Sequence, residues 1–239
     1  MVAARGGKTD DRAARGAQIN RRLARAYPAA KCSLEFRSPF ELLAATILSA
    51  QCTDERVNIV TPDLFRRFPT PAAMAAASQE EIEGLIKSTG FFRNKAKSLL
   101  GMAQALVKQH GGGVPRTMEE LVLLPGVGRK TANVVLGNCF GVPGITVDTH
   151  MSRVSQRLGL TRNTDPVKIE RDLMEAVPRA AWTLFSHRVI SHGRAVCNAR
   201  KPACEACVVS GACDHFRRFQ GGQGAVKLRA GAPAKGKRG

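Results

Sequence analysis

The sequence predicts an all-α protein, on three observations. Apolar residues recur at helical spacing in several segments, helix-start signals return along the chain, and strand signals are nearly absent, with aromatics only 5% of the residues. Ile145 to Val147 is the one short run that reads as a strand. With 44% hydrophobic residues the 239-residue chain has material for a core, which excludes wholesale disorder and collagen-like structure.

The elements follow in order. Residues 1–18 are rich in Ala, Arg and Gly, carry little apolar content and read as a flexible basic arm, with a short basic helix from Ile19 to Tyr27. In PFELLAATILSAQ, Phe40, Leu43, Ala44, Ile47 and Leu48 form one apolar stripe of a core helix whose first turn holds Pro39. Gln51 falls one turn further along that stripe. Ser78 with Glu81 and Thr117 with Glu120 have the spacing of capping boxes, and Asp165-Pro166 reads as an N-cap followed by proline at the first helical position. The end of the chain, 216–239, is too rich in Gly, Ala and Lys to pack and reads as a disordered basic tail.

Charge narrows the partner. The net charge is +18, of which residues 1–31 carry +6 and residues 216–239 carry +7, leaving +5 for the long stretch between. Nucleic acid is the first partner to consider, with the tails adding phosphate attraction that reads no bases; solvated, solubilising tails are the plainer alternative. No stretch reaches the ~20 apolar residues of a membrane span, and the N-terminus has no secretory apolar block. A soluble cytoplasmic monomer with no membrane partner is expected.

Chemistry concentrates in three places. LVLLPGVGRKTANVVL joins two helices through Gly126-Val127-Gly128, a turn whose glycines allow close approach of another molecule and whose following helix start can hold an anion. Lys130 sits in the first turn of that second helix, where the dipole disfavours ammonium. A lysine so misplaced for stability suits an amine nucleophile; the competing reading is an exposed phosphate contact. Downstream, Asp148 in VDTH reads as an N-cap that is also free to move a proton or steady positive charge on a sugar carbon. Cys197, Cys204, Cys207 and Cys213 are spaced x6, x2, x5, as four thiolates around one centre, either a zinc ion or a 4Fe-4S cluster. The single Cys-x2-Cys pair favours iron–sulfur, while Cys32, Cys52 and Cys139 are isolated and His192 and His215 read as bystanders.

In this order, SPFELLAATILSAQ, LPGVGRKTANVVL, VDTH and the cysteine spacing resemble endonuclease III, of the helix-hairpin-helix DNA glycosylases, over Ser38 to Cys213. The resemblance implies an enzyme that removes oxidised pyrimidines from duplex DNA and nicks the resulting abasic strand, with Lys130 as nucleophile, Asp148 as essential carboxylate and a 4Fe-4S cluster on the four cysteines. It implies two helical lobes with DNA in a cleft between them: a six-helix barrel over 32–142 holding the hairpin, and a cluster lobe from 19–31 and 143–215. It also implies DNA contacts from Gln51, which plugs the gap left by a flipped nucleotide, from Phe91 as a second wedge, and from Gly126, Val127, Gly128, Arg129, His150, Arg200 and Lys201. Phe91 departs from the leucine common in the family, and Phe91 and Phe92 also read as core residues. Two rivals remain. An adenine mismatch glycosylase of the same fold generally lacks a lysine at this position, and no acid lies between Glu41 and Asp54 to serve as its catalytic glutamate. A non-catalytic, zinc-holding DNA-binding protein leaves the pairing of Lys130 with Asp148 without a purpose.

Overall fold

The computed structural model describes residues 7–220, and among them every regular element is helical. Eleven α-helices follow in order among the described residues: α1 (Gly7–Ala26), α2 (Pro39–Leu48), α3 (Asp54–Arg67), α4 (Pro71–Ala75), α5 (Gln79–Ile86), α6 (Phe92–His110), α7 (Met118–Leu121), α8 (Arg129–Cys139), α9 (Thr149–Leu158), α10 (Pro166–Ala176) and α11 (Trp182–Ala195). A further helical run covers 214–220. The chain divides into two units, one of residues 31–146 and one of the segments before 31 and after 146.

In the 31–146 unit, α2 is the central helix. Ser38 caps it by accepting from Glu41 N, Pro39 opens it, and eight of its ten residues are buried, so it is covered on all sides and not along the predicted stripe alone. Its apolar residues share a core with Leu64 of α3, Ile82 of α5, Leu99, Met102 and Leu106 of α6, and Val135 of α8. The expected capping box at Ser78 and Glu81 forms in full. At Thr117 the hydroxyl does cap Glu120 N, but the Glu120 carboxylate takes the Thr117 hydroxyl in place of its backbone N–H, so the box is half made.

The other unit contains α1, α9, α10, α11 and the cysteine segment. Here the structure corrects the reading of a flexible arm, because α1 begins at Gly7. Ala and Arg are strong helix formers, and the side chains that seemed too polar to pack find partners: Arg12 pairs with Asp172 and Glu175, and Arg15 with Asp214 at 2.8 Å. Ile19 and Leu23 are fully buried below them. Residues 216–220, assigned to a disordered tail, continue the final helical run; 1–6 and 221–239 lie outside the described residues.

The segment 143–146 also differs from expectation. It belongs with 31–146 and not with the cluster lobe, and Ile145 to Val147 is not a strand. The cause is local: the buried Asn133 side chain of α8 donates to Ile145 O at 3.1 Å, and Gly144 lies so close to the same side chain that no Cβ would fit.

Candidate functional site

The hairpin is built by anchoring one residue between two glycines. After α7, Leu121 and Leu124 are buried, Val127 N donates back to Leu124 O at 3.1 Å, and the Val127 side chain is buried while Gly126 and Gly128 on either side are exposed. Gly126 is required twice over, by a φ of 78° and by a virtual Cβ 2.7 Å from the Ser98 Cβ. Gly128 is the N-cap of α8 and offers no side chain to cap it, and a Cβ there would meet nothing within 4 Å. The start of α8 is thus open for another molecule to supply the acceptors. Arg129 and Lys130, its first two residues, are both exposed, with no acidic residue in that turn.

Beside the hairpin, Gly126 shares a hollow of about 250 Å³ with Ile47, Gln51, Phe91, Lys95 and Ser98, among others. Three residues that the sequence singled out, Gln51, Phe91 and Gly126, are thereby brought together. Gln51 arrives there by a different route from the one expected: α2 stops at Leu48, Ser49 caps it, and Gln51 stands exposed on a left-handed backbone (φ 52°) past the helix and off its stripe. Phe91 also has left-handed backbone (φ 48°) and is 64% exposed, so the reading of Phe91 as core does not hold, whereas Phe92 packs on the core.

In the second unit, Asp148 caps α9: its Oδ1 accepts from Met151 N at 2.7 Å, the role its position predicts. His150, on the first turn, has its Nδ1 3.1 Å from an Arg153 guanidinium nitrogen. Arg153 also donates to Gly193 O and Cys197 O, and Arg157 donates to Asn198 O, to Ala199 O and, at 3.4 Å, to the Cys197 Sγ. The helix that begins on Asp148 therefore grips the cysteine segment along its length. Arginines at i and i+4 facing a cysteine run are a signal the sequence reading passed over.

All four cysteines line one small cavity, together with Arg157, His192, His215 and Phe216, among others. The Cys213 thiol donates to Arg157 O at 3.3 Å, and the Cys207 Sγ lies 3.4 Å from His192 Nε2. His192 is no bystander: it is fully buried, its Nδ1 lies 3.0 Å from the Tyr27 hydroxyl, and burial holds its pKa below the ordinary value. Burial likewise pushes the Cys204 and Cys207 thiols up. Among the described residues no three His, Cys, Asp or Glu side chains gather tightly enough to hold a single metal ion. The four thiols that line this cavity are the residues that could hold a metal centre. Arg200 and Lys201 are exposed between Cys197 and Cys204. Lys130 lies in one unit and Asp148 in the other.

Two short helices joined through Gly126-Val127-Gly128, with an exposed lysine in the first turn of the second, form a helix-hairpin-helix unit in a chain whose described regular elements are all helical. Residues 44–179 match the HhH-GPD superfamily base excision DNA repair protein model, and the chain belongs to that family. It is similar to Endonuclease III of Synechocystis sp., at 58% identity over 192 residues that span 80% of this chain and 88% of the relative. Among solved structures it resembles one described as a non-covalent Endonuclease III-DNA complex, at 44% identity with a TM-score of 0.80, covering 85% of this chain and 95% of that one. A second, described as a trapped Endonuclease III-DNA covalent intermediate, matches at the same identity and TM-score over 85% of this chain and 97% of that one.

Proposed function

We propose that this chain excises oxidised pyrimidines from duplex DNA and cleaves the abasic strand by β-elimination, with Lys130 as the nucleophile. The observation that carries the reading is Lys130 itself, exposed on the uncapped first turn of α8 at the positive end of the helix dipole. The trapped covalent state of a relative at 44% identity supports it. The Lys130 Nζ lone pair forms a bond to C1′ of a flipped nucleotide as the C1′–N bond breaks, and the base leaves with the electron pair and a proton. Opening of the sugar gives an imine between Nζ and C1′, which acidifies C2′–H; loss of that proton expels the 3′ phosphate. Asp148 accepts or relays protons and steadies the positive charge that builds on the sugar. Gln51 and Phe91 occupy the space the nucleotide vacates, and Gly126, Val127, Gly128, Arg129, His150, Arg200 and Lys201 hold the DNA backbone.

Cys197, Cys204, Cys207 and Cys213 would hold a 4Fe-4S cluster, which supplies cross-linking of the segment and no chemistry of the reaction. Among the described residues no helix is long and apolar enough to cross a membrane. We place the protein in the cytoplasm, acting as a monomer on chromosomal DNA.

Borohydride reduction during turnover tests the reading. It should leave a covalent protein–DNA adduct on Lys130, and Lys130→Ala should lose both the adduct and nicking while still binding lesion DNA. Undiminished trapping in Lys130→Ala would reduce the hairpin to phosphate binding.

A further inference from the structure

Lys95 of α6 is the one lysine buried among the described residues whose burial is assigned, 5% exposed, and neither the hairpin nor the cysteine segment uses it. Its ammonium donates to Thr89 O at 2.8 Å, and its backbone N donates to Phe91 O at 3.1 Å. Thr89, itself buried, donates its hydroxyl to Ile86 O at 2.8 Å. Between these anchors the chain takes two left-handed steps in succession. Gly90 (φ 70°, ψ 156°) sits where essentially only glycine goes, and Phe91 (φ 48°, ψ 27°) is held in a left-handed conformation that L side chains rarely adopt. Phe91 is the N-cap of α6, yet it contributes no side-chain cap. What the conformation achieves is to lift a phenyl ring out of the core to 64% exposure, directly over a hollow that also holds Gln51 and Gly126.

Burying an ammonium is costly, and an apolar side chain beside Ala96 and Leu99 would fill the same place at lower cost. Desolvation lowers the Lys95 pKa accordingly. What the ammonium gains at this depth is its bond to Thr89 O, at the base of the strained step. We infer that Lys95 is a positioning residue that fixes Phe91 as a wedge against the DNA stack by tying down the Thr89 carbonyl. The inference rests on the wedge role of Phe91 given above.

A lysine acting through Phe91 matters only where a stack must be opened. The full chain is therefore compared on a base-paired lesion duplex and on a single strand carrying a preformed abasic site, in single-turnover nicking. Lys95→Met should slow the duplex reaction by about ten- to hundredfold, in the range that misplacement of a distant group produces. The single-strand reaction should stay within about twofold, the scatter of independent sites. Lys95→Arg, which keeps donors at that depth, should recover much of the duplex rate. In a Phe91→Ala background Lys95→Met should cost nothing more, because the two act as one. Amide exchange at 89–91 should quicken in Lys95→Met at an unchanged melting temperature. Equal losses on both substrates, or additive losses in the double variant, would overturn the inference. A silent Phe91→Ala would instead remove the wedge, and with it the task assigned to Lys95.

Discussion

Asp148 caps α9 and, in the proposed reaction, is also the carboxylate that handles protons; single substitutions can separate the two. As N-cap it accepts from Met151 N, a bond asparagine makes equally well. Asp148→Asn should therefore keep its melting temperature and lesion binding while nicking slows by at least about a hundredfold, the usual range for a lost acid/base group. Asp148→Ala should show the same chemical defect and lose in addition about 1 kcal/mol of stability, as capless helices do. Equal melting of the two variants would mean that the cap contributes nothing. The positions of Asp148 as a cap and of Lys130 in the first turn of α8 were legible in the sequence, because local start signals mark where a helix begins. Lys95 was not legible, since a lysine in a periodic run reads as solvated, and only the observed bond to Thr89 O shows where its ammonium goes. Phe91 and Phe92 could not be told apart either. A left-handed backbone at Phe91 exposes one ring and leaves the other on the core, and no hydrophobic pattern encodes that turn.

The capped helices were legible for the same reason as Asp148: Ser78, Thr117 and Asp165 each cap the helix that follows them, whereas the Ser38 cap of α2 was not read from the sequence. α1 was not, because its stability comes from partners some 160 residues away in the chain, Asp172 for Arg12 among them. Its crossing with α10 gives a test. Gly16 lies against Ala176 so closely that an added Cβ would overlap the Ala176 carbonyl, a backbone atom that cannot swing aside. Helix propensity alone says that Gly16→Ala gains up to about 1 kcal/mol. Overpacking at a helix crossing costs about 1–3 kcal/mol, so the variant should melt lower than the parent. A rise in melting temperature would show that α1 does not sit where it is described. On α11, burial holds the His187 pKa below the ordinary histidine value of about 6.5. Above that value both folded and unfolded chains leave His187 neutral. As pH falls through it, the unfolded chain takes up a proton that the folded one resists, and stability drops. Melting temperature should thus decline below about pH 6.5, and His187→Gln should flatten the decline.

At the scale of the molecule, one unit is built on a continuous apolar core and the other encloses the cysteine cavity, so loss of the proposed cluster should affect them unequally. Residues 31–146 surround α2 with buried Leu, Ile, Met and Val and need no ligand to fill the space. In the other unit α9 and α11 meet the segment 197–213 through Arg153, Arg157 and His192, all placed around or beside thiols that face one cavity. Cysteine spacing made the four thiols legible; the arginines and the His192–Tyr27 contact come from elements far apart in sequence, which spacing cannot reveal. Because a structural metal's binding energy is folding energy for the segment it closes, Cys204→Ser should lower iron content and release that segment. Amide exchange followed along the full chain should quicken across α9, α11 and 197–213, while α2 and α6 keep the protection of the parent. Lesion binding should weaken, since Arg200 and Lys201 lie between two of the ligands. Unchanged iron and unchanged exchange over 197–213 in Cys204→Ser would mean that the cysteines are not the ligands. A loss of protection spreading equally into α2 would mean that the two cores are not independent.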